Sequence, residues 1–139
     1  MKVKDIMHKG AVWVGPDASV AEVARKMRRS DIGAIPVGEN DRLIGMLTDR
    51  DICCRVLGKK RDIKRVTARD VMTKPIVYCR SDEKVEKAVS AMRKARVRRM
   101  PVIDENYRLV GMLGLGDIAA KATQKTANIA LKALAAHHA

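Results

Sequence analysis

The chain is written twice, and that repetition limits its fold more than any other feature. Asp5-Ile6-Met7 returns as Asp70-Val71-Met72, and the apolar set Val20, Val23, Ala24 and Met27 returns as Val85, Ala88, Val89 and Met92, a constant step of 65 residues. The step holds from Ile35-Pro36-Val37 to Met100-Pro101-Val102. It becomes 66 between Arg42-Leu43-Ile44-Gly45-Met46-Leu47 and Arg108-Leu109-Val110-Gly111-Met112-Leu113, which places one extra residue in a turn of the second copy.

Each copy predicts a short strand (Val12 to Val14; Ile76 to Cys79), then an amphipathic helix with apolar residues at i, i+3, i+4 and i+7. Ser19 and Glu22 have capping-box spacing at the first helix start. Two short strands follow, near Ala34 to Gly38 and Arg42 to Leu47, joined by the polar turn Glu39-Asn40-Asp41. A second helix is expected from near Thr48 or Gly114, where a hydroxyl and aspartates satisfy free amides. The result is an α/β (α+β) chain of two strand-helix-strand-strand-helix units. One copy is too small to bury its own sheet face, so the two are expected to pack sheet against sheet about a pseudo-twofold axis as one compact domain.

The predicted boundaries are 1–58 for the first motif, 59–66 for a linker containing Lys59, Lys60, Arg61 and Lys64, 67–122 for the second motif and 123–139 for a C-terminal helical tail. Beyond Asp117 the chain is alanine-rich and free of glycine and proline, so helix is favoured, with Ile118, Ala122, Ile129, Ala133 and Leu134 as its apolar stripe. That helix is expected either to pack on its own core or to mediate self-association.

Twenty-nine basic residues against 16 acidic ones give a net charge of +13, which favours an anionic partner: nucleotide phosphate, nucleic acid or an acidic surface. Trp13, Tyr78 and Tyr107 are the whole aromatic complement, a thin supply for stacking single-stranded nucleic acid, although Trp13 on the first strand suits either a base or half-buried packing. Cys53 and Cys54 are adjacent and Cys79 stands alone, so all three are read as free thiols of a cytoplasmic protein. No export signal and no apolar run of membrane-spanning length is present. His8, His137 and His138 are scattered relative to the cysteines, so no metal site is expected, and no nucleophile with a base or paired acids at a repeated position suggests catalysis.

The strongest local signal is Gly45-Met46-Leu47-Thr48-Asp49-Arg50-Asp51, a strand running into a helix. Amides and dipole there favour phosphate, Thr48 offers a hydroxyl and Asp51 two acceptors for a sugar diol; the alternative is that both residues merely cap the helix. The doubled order of Asp-hydrophobe-Met, hydrophobe-Pro-Val and a glycine-led strand closing on Thr-x-x-Asp resembles a tandem pair of cystathionine-beta-synthase-type (CBS) motifs over roughly residues 2 to 120.

That resemblance implies two clefts for adenosine-containing ligands: AMP, ADP, ATP, NAD or S-adenosylmethionine. In the first, Thr48 matches the phosphate-binding hydroxyl, Asp51 the ribose carboxylate and Ile35 a position that packs on adenine. Arg50 faces phosphate, and Lys74, Ile76 and Val77 arrive from the opening strand of the other repeat. In the second, Asp117 keeps the ribose position but Gly114 replaces the hydroxyl; Arg98 and Arg99, with Met100 beside them, match phosphate-binding arginines, and Lys9 enters from the opposite repeat. The implied function is a non-catalytic regulatory module that senses an adenine nucleotide, needs no other cofactor, forms a homodimer and acts on an unidentified protein partner. A basic nucleic-acid-binding protein and a purely structural dimerisation module are the alternatives.

Overall fold

The computed structural model describes residues 1–74 and 76–135. It contains helices α1 (Val3–Ile6), α2 (Val20–Ser30), α3 (Asp49–Asp51), α4 (Ala68–Val71), α5 (Val85–Ala95), α6 (Leu115–Lys121) and α7 (Gln124–Ala135). The strands are β1 (His8–Lys9), β2 (Ala34–Glu39), β3 (Arg42–Thr48), β4 (Cys79–Arg80), β5 (Arg99–Ile103) and β6 (Leu109–Gly114). Helix α3 continues through a π-helical turn (Ile52–Val56) and a 3-10 turn (Leu57–Lys59).

Two compact units result, one contiguous (Val12–Ile76) and one composite (Met1–Ala11 with Val77–Ala139). Each joins the body of one repeat to the opening segment of the other. In the contiguous unit, Ala68 N–H donates to the Ala18 carbonyl (2.8 Å) and Arg69 N–H to that of Pro16 (2.9 Å). In the composite unit, Val3 N–H donates to the Glu83 carbonyl and Lys4 N–H to that of Ser81, both at 2.9 Å. The second pair of bonds is the first displaced by 65 residues. The basic linker is accordingly exposed from Lys59 to Arg65 but not loose, since the Ile63 and Val66 carbonyls accept from Ala21 and Val20 at the start of α2.

The paired motifs explain each other. In Asp-hydrophobe-Met, the aspartate closes its own helical turn: Lys2 N–H donates to Asp5 Oδ2 (2.8 Å) and Thr67 N–H to Asp70 Oδ2 (2.9 Å). The Thr67 amide and hydroxyl hold the Asp70 carboxyl below the usual carboxylate range. The methionine then lies across the strand glycine of the other motif. A Cβ on Gly45 would overlap the Met72 side chain, and one on Gly111 would overlap the His8 carbonyl and meet Met7 Sδ at 3.0 Å.

In the composite unit the sheet order is β1-β6-β5-β4, with β4 parallel to β5 and the other pairs antiparallel. The contiguous unit has the β2-β3 hairpin, and single bridges Val14↔Val37 and Met46↔Thr73 stand where the outer strands would be. The expected opening strands are therefore shorter than predicted. Val12 to Val14 reduces to the bridge at Val14, and Ile76 to Cys79 becomes Cys79–Arg80, because only these residues meet the neighbouring strand. Asn40 and Asp41 turn the first hairpin with φ of 53° and 61°, a two-residue turn of the type that matches strand twist. The second turn is longer by the inserted residue, with Tyr107 at φ 62° and Asp104 Oδ1 accepting from the Asn106 and Arg108 amides.

Val20, Val23 and Met27 on α2, and Val85, Ala88, Val89 and Met92 on α5, point into separate cores. Ala24 is the exception, exposed where its counterpart Val89 is buried. The reason is α7, which packs on α5 and α6, whereas α2 has no such cover among the described residues. Ser19 Oγ accepts from the Glu22 amide (3.2 Å) as the spacing predicts, without the reciprocal bond that would complete a box. The alanine-rich tail is two helices rather than one: α6 ends at an extended Ala122, and Thr123 caps α7 by accepting from Thr126 N–H (3.3 Å). This break rotates the expected stripe. Thr126, Ala127, Ala130 and Leu134 are buried, while Ile129 is exposed and Ala133 only partly covered. His137 and His138 lie outside the described residues. No helix among the described residues is long and apolar enough to cross a membrane.

Candidate functional site

Strand β3 delivers Thr48 to the start of α3, and the turn is closed by a reciprocal pair of bonds. Thr48 Oγ1 accepts from Asp51 N–H (3.1 Å) and Asp51 Oδ2 accepts from Thr48 N–H (2.9 Å). Both side chains are partly exposed. Capping occupies one Asp51 oxygen. The other, Oδ1, faces Arg55 Nη1 at 3.8 Å, and Arg55 also donates to the Val71 carbonyl (2.9 Å). The site thus holds a carboxylate fixed in direction with acceptor capacity to spare, beside a hydroxyl whose proton is not engaged by any described residue.

Arg55 was not singled out by the sequence, although its place four residues beyond Asp51 is the signal for it. Its counterpart is Lys121, four residues beyond Asp117, whose Nζ donates to the Ile6 carbonyl (3.3 Å). Val71 and Ile6 are themselves repeat-related. In both units a cation on the second helix ties the candidate ribose carboxylate's helix to the exchanged Asp-x-Met segment.

Arg50 is exposed on α3, and Lys74 is exposed just beyond Thr73, whose amide donates to the Met46 carbonyl (2.8 Å) on β3. Thr48, Arg50, Asp51, Lys74, Ile76 and Ile35 all belong to the contiguous unit, and Val77 opens the other stretch of chain. Ile35 is completely buried in the contiguous unit's core and Met100 in the composite unit's. These side chains support the sheets from beneath and present no surface. Trp13 is half exposed, its ring against Gly38.

In the composite unit Gly114 caps α6 with the first half of the same arrangement, Asp117 Oδ2 accepting from Gly114 N–H (2.9 Å). The missing hydroxyl is not a steric necessity, for a Cβ there would have 3.5 Å to Asp117 Oδ2 and 3.7 Å to Arg99 Cγ. Arg99 pairs with Gly114 across β5 and β6, the Arg98 carbonyl accepts from Leu115 N–H (3.0 Å), and Lys9 pairs with Gly111. Lys9, Arg98 and Arg99 are exposed. Asp117, Arg98 and Arg99 thus border the β6–α6 turn, whereas Lys9 lies on the opposite edge of β6, three residues back from Gly114, all within one unit.

Among the described residues no three His, Cys, Asp or Glu side chains converge as metal ligands would. Cys53 and Cys54 are exposed, whereas burial lifts the Cys79 thiol to about 12.

The CBS-domain profile matches residues 3–58 and again 68–123. Hypoxic response protein 1 of Mycobacterium tuberculosis is 40% identical over 117 residues, 84% of this chain and 81% of its own. Its crystal structure with two coordinated zinc ions superposes with a TM-score of 0.81 at 38% identity, covering 87% of this chain and 98% of that one. CBSX2 in complex with AMP gives 0.76 at 25% identity (89% and 97% covered). The CBS pair of MJ0100, in complex with 5'-methylthioadenosine and S-adenosyl-L-methionine, gives 0.78 at 26% (86% and 94%). With both repeats matched along most of their length, the chain belongs to the CBS-domain family as a tandem CBS pair.

Proposed function

We propose that this chain is a regulatory module that binds an adenosine-containing nucleotide at the two strand-to-helix turns, Thr48–Asp51 and Gly114–Asp117. We read it as regulatory rather than catalytic, a reading supported by CBS-domain matches along both repeats. The observation that carries the reading is the doubled placement of a carboxylate held in direction by a backbone amide on one oxygen, its second oxygen facing only the long 3.8 Å approach of Arg55 at Asp51, at strand-to-helix turns with exposed cations on the same elements. Relatives of the same fold bound to AMP and to S-adenosyl-L-methionine support the ligand class. Arg50 and Lys74 at the first turn, and Arg98, Arg99 and Lys9 at the second, are the phosphate ligands. Asp51 and Asp117 take the ribose diol. The first turn adds the Thr48 hydroxyl, and the second relies on guanidinium forks. We read the protein as a cytoplasmic homodimer whose output passes to a separate protein partner.

Calorimetry with AMP, ADP, ATP, NAD and S-adenosylmethionine tests this, and silence from all five at millimolar concentration would refute it. Capping and ribose binding are separable at one position. Asp51→Asn keeps an oxygen for the Thr48 amide, so stability should hold within about 0.5 kcal/mol. The same change removes the charge from hydrogen bonds worth about 1.5–3 kcal/mol, so affinity at the first turn should fall about tenfold or more. Asp51→Ala should lose both.

A further inference from the structure

Five cations, Arg93, Lys94, Arg96, Arg98 and Arg99, occupy the last turn of α5, its cap and the start of β5, with no acidic residue among them. The first repeat is an internal control. Its equivalent positions hold Arg28, Arg29, Asp31, Gly33 and Ala34 on the same local fold, so the architecture does not demand this charge. All five side chains are exposed, and among the described residues none forms an ion pair. The helix dipole favours Arg93 and Lys94, but Arg96, Arg98 and Arg99 lie beyond the helix and simply repel one another. Arg96 also holds a left-handed backbone, φ 58°, which a glycine would adopt more easily.

A second feature is confined to the same place. Arg93 and Lys94, with Ser90 and Ala133 of α7, line a groove of about 490 Å³. The first repeat has no counterpart of α7 among the described residues, hence none of this groove.

We propose that the strip from this groove to Arg99 docks a short acidic segment of a partner protein. Carboxylates spaced along an extended peptide match guanidinium forks in pairs. Nucleic acid fits less well. The cationic track stops within a turn or two, because Glu83 and Glu86 sit at the start of α5, and the strip carries no aromatic side chain on which a base would stack. Arg98 and Arg99 are also the phosphate ligands of the second turn in the function proposed above. Resting on that reading, nucleotide and acidic segment compete for the same two arginines, which gives a chain with two CBS motifs a direct output.

The test uses the full chain, fluorescein-labelled octaglutamate and labelled oligo-dT in low-salt anisotropy titrations, with and without ATP. Arg93→Gln with Lys94→Gln, and separately Arg96→Gly, should weaken octaglutamate binding about tenfold. Arg28→Gln with Arg29→Gln, an equal loss of charge in the first repeat, should change it less than about twofold. Glycine suits the Arg96 backbone, so that variant stays folded, as a thermal melt checks. Equal losses in both repeats, no octaglutamate binding, or tighter oligo-dT binding removed by the same substitutions overturns the docking surface. ATP should displace the peptide. Failure to displace it while ATP gives heat in calorimetry overturns the competition, whereas peptide binding with no ATP heat upholds docking and overturns the nucleotide reading alone.

Discussion

Gly45 and Gly111 occupy equivalent positions under equivalent segments, yet they face different atoms. A methyl at Gly45 meets Met72 from Sδ back to its Cβ (2.9 Å), so rotation relieves only part of the clash, while one at Gly111 meets the His8 carbonyl at a shorter distance, and that carbonyl cannot move without moving β1. Overpacking of this kind costs about 1–3 kcal/mol. Both Gly45→Ala and Gly111→Ala should therefore destabilise the chain, Gly111→Ala at or above the upper bound and Gly45→Ala within the range, measured as the shift in urea midpoint; the reverse order would count against the observed contacts. The thiols separate as sharply. Burial raises Cys79 to about 12, and the neighbouring Glu83 pushes the same way, while Cys53 and Cys54 are exposed. Two of three cysteines should therefore react with iodoacetamide at pH 8 in the native protein, and all three in denaturant. Because the folded value lies above the unfolded one, the native state holds this proton more tightly. Its contribution to stability is present at neutral pH and is lost as pH rises from about 9 towards 12.

Among the elements, α7 is where the two repeats part company. Its buried residues cover α5 beside Val89 and end at Leu134, which is 2% exposed. Leu134→Ala should cost about 2–4 kcal/mol by lost burial and the cavity left behind. Ile129→Ala, on the exposed side, should cost less than about 0.5 kcal/mol; equal effects in thermal melts would place the helix face wrongly. The sequence pattern places these two residues on one stripe, and the structure separates them for a physical reason. Alanine carries little information about facing, and the break at Ala122–Thr123 is signalled only by a threonine cap inside a run of good helix formers. Where side chains are distinctive the reading was legible: the hairpins, the extra turn residue, and the helix starts at Thr48 and Gly114 all follow from local chemistry. The burial of Ile35 and Met100 was not, because a hydrophobe before proline looks the same whether it backs a ligand or a sheet. Arg55 and Lys121 were legible in principle, as cations four residues after a singled-out aspartate.

For the whole molecule the consequential feature is the exchange of opening segments, which no local pattern announces because its bonds join residues far apart in the chain. The composite unit needs both ends of the chain, and the contiguous one does not. Residues Met1 to Lys9 contribute Val3 and Ile6, both almost wholly buried, together with the β1 edge of the four-stranded sheet and the acceptor for Lys121. Burial of each aliphatic side chain is worth about 1.5–3 kcal/mol, so the two together, about 3–6 kcal/mol, reach the lower end of the roughly 5–15 kcal/mol that holds a domain folded. Deleting residues 1–9 should therefore abolish amide protection along β5, β6 and α6 while leaving α2, β2 and β3 protected, as read by hydrogen exchange. Uniform loss of protection would mean that the two units open only together. An undisturbed composite unit would mean that the N-terminal segment is not the structural counterpart of residues 66 to 74 that its hydrogen bonds make it.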